Sequence, residues 1–190
     1  MASGYEDVMA LDDNMSSHNT SGSASAAGPS GSSSTSRQAR VKRKKSIKSE
    51  TSIELKGPME VDGSIKSMGG VAFSGDFAVR DRIEAYGNID VHGNLTCNSK
   101  MKSFGNVKIN GSGVCRDKVK IFGKLNITGT FEAQGAIEVW GAVTIDGYMK
   151  CKSLTAYGSL TTVGDQSWYE VEDDETVWGA KLIQRDGFEG

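Results

Sequence analysis

The residues of this 190-residue chain whose types and spacing could carry chemistry are three Cys, two His and two groups of Lys and Arg. Cys97, Cys115 and Cys151 are an odd set, and the opening stretch MASGYEDVMALDDN holds acids and no apolar run. An odd Cys count with no export signal suits a reducing interior rather than a disulfide framework. No His stands at ligand spacing to these Cys, so no metal centre is expected. His18 lies in a Ser-rich leader and His92 beside polar residues, where it reads as an exposed corner residue and not as a base. The chain contains no P-loop, dinucleotide-binding fingerprint or nucleophile elbow. It reads as a non-enzyme without a cofactor.

The first group of bases is Arg37, Arg40, Lys42, Arg43, Lys44, Lys45 and Lys48, packed into RQARVKRKKSIKSE. Charge this dense suits an anionic lipid surface, at about 1 kcal/mol per base, and also suits nuclear import or a polyanionic partner. No aromatic is interleaved with the bases, which disfavours nucleic acid held by base stacking. Ser46 directly follows Arg43-Lys44-Lys45 and is a candidate phosphosite, where added negative charge would release the tract from a polyanion. The second group is Lys66, Arg82, Lys100, Lys102, Lys118 and Lys120, diluted by Glu84 and Glu138. It reads either as solvated charge on a sheet or as a stripe that meets an acidic surface, such as the tail of a neighbouring subunit.

What must position these groups follows from charge and periodicity. Residues 1–50 hold seven bases and five acids, residues 51–163 thirteen and eleven, and residues 164–190 two and eight. The leader SSHNTSGSASAAGPSGSSSTS is nearly devoid of large apolar side chains, so residues 1–50 are expected to be disordered. No apolar run approaches the roughly 20 residues of a membrane-spanning helix.

Between Thr51 and Val163, Gly recurs in one six-residue phase, in units such as GNIDVH, GNLTCN, GNVKIN, GKLNIT and GAIEVW. The third and fifth places of each unit are apolar or small and the second and fourth mostly polar, the period of a strand with one face buried. The inward exceptions are Gly113, Ser67, Ser103 and Thr162. Six-residue units joined without loops cannot make hairpins. They make the sides of a triangular solenoid, each strand pairing in parallel with its counterpart one coil later.

The corners confirm an 18-residue coil. Gly fills the columns headed by Gly57 and Gly69, while the third column reads Gly63, Asp81, Ser99, Asp117, Gly135 and Ser153. Two corners thus call for Gly, for positive φ or close backbone passage. Met68, Tyr86, Phe104, Phe122, Trp140 and Tyr157 form a ladder before the second Gly column. One residue is missing after Ser153, leaving Leu154 and Ala156 inward. Cys97 and Cys115 share an inward column about 4.8 Å apart, within disulfide reach, but are read as small buried apolar residues.

Hexads such as GNIDVHGNL, GNVKING and GKLNITGTFEAQG, with two inward aliphatics each, resemble those of the bactofilins, a polymer-forming cytoskeletal family. The resemblance covers about Ile53 to Val163. It implies a single-domain, right-handed parallel β-helix of about six coils, joined end to end into nucleotide-independent filaments. It further implies a cytoplasmic scaffold, associated with a membrane or partner proteins through its tails; the basic tract leaves nuclear import as an alternative. The Ser-rich leader and the acidic, Trp-bearing 164–190 segment depart from that family's short flanks. A left-handed hexapeptide-repeat acyltransferase is disfavoured, because such enzymes carry one aliphatic per hexad and a protruding loop.

Assembly also follows from strand physics, since uncapped solenoid ends expose unpaired edges. The expected self-assembly residues are Ile53, Leu55, Met59 and Val61 at one end and Leu154, Ala156 and Leu160 at the other, with residues 164–190 a candidate cap. The competing reading is a monomeric or dimeric binding module that presents its basic face to a polyanionic or acidic partner.

Overall fold

A computed structural model describes residues 40–185. The Ser-rich leader, Arg37 and the expected disorder of residues 1–39 lie outside the described residues. The chain divides into units Met1–Arg37 and Gln38–Gly190, and the description concerns the second. Among the described residues there is no helix; 17 strands form one continuous sheet, and every pairing in it is parallel.

In chain order the strands are β1 (Lys42–Lys44), β2 (Ile47–Ser49), β3 (Ile53–Lys56), β4 (Met59–Val61), β5 (Ile65–Ser67) and β6 (Val71–Val79). Next come β7 (Ile83–Ala85), β8 (Ile89–Cys97), β9 (Met101–Ser103), β10 (Val107–Cys115), β11 (Val119–Ile121) and β12 (Leu125–Val139). The last are β13 (Val143–Ala156), β14 (Leu160–Val163), β15 (Trp168–Val171), β16 (Glu175–Val177) and β17 (Lys181–Gln184).

The result is a β-solenoid of about eight turns, two more than the hexads from 51 to 163 account for. The additional turns come from the two charged flanks. β1 pairs with β4 and β2 with β5, so the stretch 42–49, expected to be disordered, is a first coil in register. At the other end β15 and β16 pair with β13, and β17 with β14. Residues 168–184 are therefore a last coil, a cap built by continuing the solenoid. Both flanks escaped the hexad pattern because their inward places carry Lys42, Lys44, Glu175 and Lys181 instead of aliphatics.

The core is the stack of inward columns. Val71, Ile89, Val107, Leu125, Val143 and Leu160 follow one another in register, all buried to 2% exposure or less. Each such side chain contributes about 1.5–3 kcal/mol by leaving water. Gly113 interrupts its column because the Phe131 ring of the next coil occupies the space; a Cβ on Gly113 would lie 2.7 Å from that ring. The inward Ser residues bond to corner carbonyls: Ser67 Oγ donates to Thr51 O at 2.7 Å and Ser103 Oγ to Gly87 O at 3.0 Å.

The two Gly corners need Gly for different reasons. At Gly93 and Gly111 φ is +126° and +125°, a region L side chains rarely enter. At Gly105 φ is ordinary, but a Cβ would sit 2.8 Å from the carbonyl carbon of Gly87 in the coil before it. The third corner needs no positive φ and carries side chains at Asp81, Ser99 and Asp117, although a Cβ on Gly135 would lie 2.7 Å from the backbone carbon of Asp117; there the missing residue is absorbed, Ala133 pairing with Cys151 and Ala136 with Ser153 and leaving a bulge.

Candidate functional site

One side of the solenoid gathers the second group of bases. Outward places of β7, β9 and β11, with the corners before them, bring Arg82, Lys100, Lys102, Lys118 and Lys120 around a shallow concavity of about 530 Å³. Glu84 and Glu138 also line it. Lys120 Nζ is 3.3 Å from Glu138, whereas Arg82, Lys100, Lys102 and Lys118 form no ion pair among the described residues.

Along the edge of this face the aromatic ladder is continuous from Tyr86 to Tyr157. Tyr86–Phe104 and Phe104–Phe122 stack at 4.8 Å with interplanar angles of 11° and 4°, followed by Phe122–Trp140 at 5.7 Å and Trp140–Tyr157 at 4.6 Å. Stacked pairs contribute about 0.5–1.5 kcal/mol beyond the area they bury. Lys102 Nζ lies 4.5 Å from the Phe104 ring centroid and Lys120 Nζ 5.3 Å from that of Phe122. Because ring faces are taken up by neighbouring rings, the ladder offers solvent its edges. It therefore rigidifies the lysine columns and leaves few ring faces for a planar ligand.

The remaining chemical candidates are structural. Cys97 and Cys115 are buried free thiols that donate to backbone, Cys97 to Asp81 O at 3.4 Å and Cys115 to Ser99 O at 3.1 Å. They do at one corner what Ser67 and Ser103 do at another. The Cys97 thiol is pushed up by its contact with Cys115 and by burial, and burial pushes Cys151 up to about 12. His92 Nδ1 is 3.2 Å from Asn110 Nδ2 on an exposed corner. Among the described residues no group of three His, Cys, Asp or Glu could hold a metal ion, and no helix is long and apolar enough to cross a membrane.

The expected assembly residues fall differently from their sequence placement. Ile53 and Leu55 do lie in the first coil. Met59 and Val61 lie one coil further in, under Lys42 and Lys44, and are 6% and 1% exposed. Leu154, Ala156 and Leu160 are covered by the last coil, opposite Glu175, Val177 and Lys181. Among the described residues the end surfaces are therefore the first and last coils themselves. The first carries Arg40, Lys42, Arg43, Lys44, Lys45 and Lys48, with Arg43 Nε 2.9 Å from Glu60. Ser46 is exposed at its corner, where its Oγ accepts a hydrogen bond from the Ser64 N–H at 3.3 Å.

On the last coil, Glu175 Oε1 accepts from Tyr169 Oη at 2.9 Å and pairs with Lys181 Nζ at 2.7 Å. The carboxylate holds the Lys181 ammonium above its ordinary range, and desolvation with the same hydrogen bond raises the Tyr169 phenol. Sequence reasoning missed this cluster because a charge in an inward column looks like the end of the repeat. Comparison with family models, curated proteins and solved structures returned no match.

Proposed function

We propose that this chain is a structural protein whose solenoids join end to end into nucleotide-independent filaments, the role its resemblance to the bactofilins implies. The observation that carries this reading is that β1, β2 and β3 at one end, and β15, β16 and β17 at the other, pair on one side only among the described residues. Each end thus offers a row of unsatisfied N–H and C=O groups that a second copy satisfies by continuing the ladders. The exposed basic residues of the first coil remain the candidate contact with an anionic membrane surface or an acidic partner.

Negative-stain electron microscopy of the full chain, with mass by light scattering, tests this. Filaments of uniform width are expected; discrete monomers or dimers at every working concentration would sink the reading.

A second reading is favoured by the concavity lined by Arg82, Lys100 and Lys118, three bases in successive coils. It makes the basic face a platform for a linear polyanion. The expected result is heparin binding that weakens steeply with salt and drops about tenfold in a variant combining Arg82→Ala, Lys100→Ala and Lys118→Ala. Equal affinity of that variant and the parent chain would remove the face from consideration.

A further inference from the structure

The sheet handles charge in two ways. In several outward columns a base meets an acid one coil away: Arg43 and Glu60 at 2.9 Å, Arg80 and Asp62 at 3.8 Å, Lys120 and Glu138 at 3.3 Å. One column does the opposite. The ladders joining β7, β9 and β11 stack Arg82, Lys100 and Lys118 in successive coils, the longest run of like charge in any outward column among the described residues. Neighbours in such a column are about 4.8 Å apart, and like charges directly opposite each other on a sheet are destabilising. None of the three forms an ion pair among the described residues. Asp81 and Asp117 stand one residue earlier, but Asp117 accepts a hydrogen bond from the Lys118 N–H at 2.8 Å and does not pair with an ammonium.

We infer that this column binds a short linear chain of about three phosphoryl groups lying along the solenoid axis, one to each base. This deepens, and rests on, the second reading above, in which the basic face meets a linear polyanion.

The neighbours of the column set the length of the ligand. Arg82 and Lys118 are two coils apart, about 10 Å along the axis. Beyond them the same place is taken by Ser64 and Ala136, which carry no charge. In the adjoining column Lys102 and Lys120 are bracketed by Glu84 and Glu138. A longer polyanion would run on over those carboxylates, whereas a short one stays among the bases.

The side chains set its chemistry. Arg82 offers a planar fork that suits phosphate oxygens, and Lys100 and Lys118 offer compact point charges. Lys102 and Lys120 stand half-buried behind them, held over the Phe104 and Phe122 rings, so little side-chain order is lost when an anion arrives. A nucleobase finds no platform, because Tyr86, Phe104 and Phe122 stack on one another at 4.8 Å. The face therefore reads phosphate and not the group attached to it. An anion lying between successive cations also removes a repulsion that the chain by itself carries, so binding and intrinsic stability pull in opposite directions at this column.

Calorimetric titration of the full chain with inorganic tripolyphosphate, at a fixed ionic strength of about 0.15 M, tests this. Pyrophosphate should bind about tenfold more weakly and orthophosphate more weakly again, while ATP should gain nothing from its base. Lys100→Gln removes the middle of the column and should weaken tripolyphosphate binding about tenfold. The same variant without ligand should melt at the parent temperature or above it, because one like-charged neighbour is gone. Lys108→Gln, the same change of charge outside the concavity, should keep the parent affinity.

Orthophosphate binding as tightly as tripolyphosphate would overturn the inference, as would an equal loss of affinity in Lys108→Gln. A lower melting temperature for Lys100→Gln would overturn it too, by showing that the column is kept for structure. ATP binding more than about tenfold tighter than tripolyphosphate would assign the face to a nucleotide instead. Heparin binding without tripolyphosphate binding would overturn the inference and leave the linear-polyanion reading standing; binding of neither would overturn both.

Discussion

A chain carrying Gly111→Ala should lose about 3–5 kcal/mol of stability, seen as a lower urea midpoint with an unchanged slope. Two costs coincide at this residue. Its φ of +125° is unfavourable for any residue with a Cβ, and the added carbon would come within bonding-like distance of a backbone oxygen, that of Gly93. That oxygen belongs to the neighbouring strand and cannot move aside without breaking ladder bonds of β8 and β10. Gly111 lies in the middle of the solenoid, where each coil is supported only by its neighbours, so a weakened coil weakens coupling in both directions. The control is Asp117→Ala at the third corner, where a Cβ is already present and a change of under about 1 kcal/mol is expected. A loss that small at Gly111 would refute the account of why that corner is always Gly.

The second large effect is expected from ending the chain at Gly164. This strips β15, β16 and β17 from the seventh coil and uncovers Met149, Cys151, Leu154, Ala156 and Leu160, now 2% exposed or less. Uncovering the larger of these forfeits on the order of 1.5–3 kcal/mol each. The truncated end would combine an open strand edge with an unbroken apolar rung, a combination that invites indiscriminate pairing. Light scattering should show large irregular particles or outright precipitation, and the melting temperature should fall by more than about 10 °C, a shift that corresponds to several kcal/mol at this size. A truncated chain as monodisperse and heat-stable as its parent would show that the last coil is an appendage. Fragments spanning 50–164 are unsuitable for assembly work for the same reason, since both natural ends are gone.

How much of this was legible in sequence depended on what each residue faces. Inward aliphatics such as Ile89, Val107 and Leu125 recur because one buried column imposes one requirement coil after coil, so the hexad, the triangular cross-section and the parallel pairing could be read directly. The Gly corners were legible as corners, but their separate reasons were not, since positive φ at Gly93 and backbone crowding at Gly105 leave the same letter. Gly113 looked like a lapse, and only the neighbouring Phe131 explains it. The end coils were not legible as coils, although residues 164–190 were named as a candidate cap, because they must face both the core and water. Lys42, Lys44, Glu175 and Lys181 break the apolar pattern at the places where the solenoid stops burying its interior. The basic tract was correctly seen as dense charge and wrongly as unstructured, because composition alone does not distinguish a solvated tail from an edge strand stapled to a preformed sheet. The lysine face was legible as a stripe; its concavity and its bracing by the Tyr86–Tyr157 ladder needed three dimensions.

The bulge between Ala133 and Ala136 has a further consequence for how such a chain can change over generations. The corner that absorbed a lost residue is the one with Asp81, Ser99 and Asp117, where no positive φ is required and side chains are already accommodated. At the Gly105 corner the column is Gly from Gly69 to Gly158, and no side chain is accommodated there. This chain is thus a ruler with one soft seam running its whole length. Whole coils could be duplicated or lost without altering the chemistry of those that remain, and foreign loops could be threaded along that seam at 18-residue intervals. The same seam is where a peptide tag or sensor could be grafted by design, displayed at regular spacing along the solenoid.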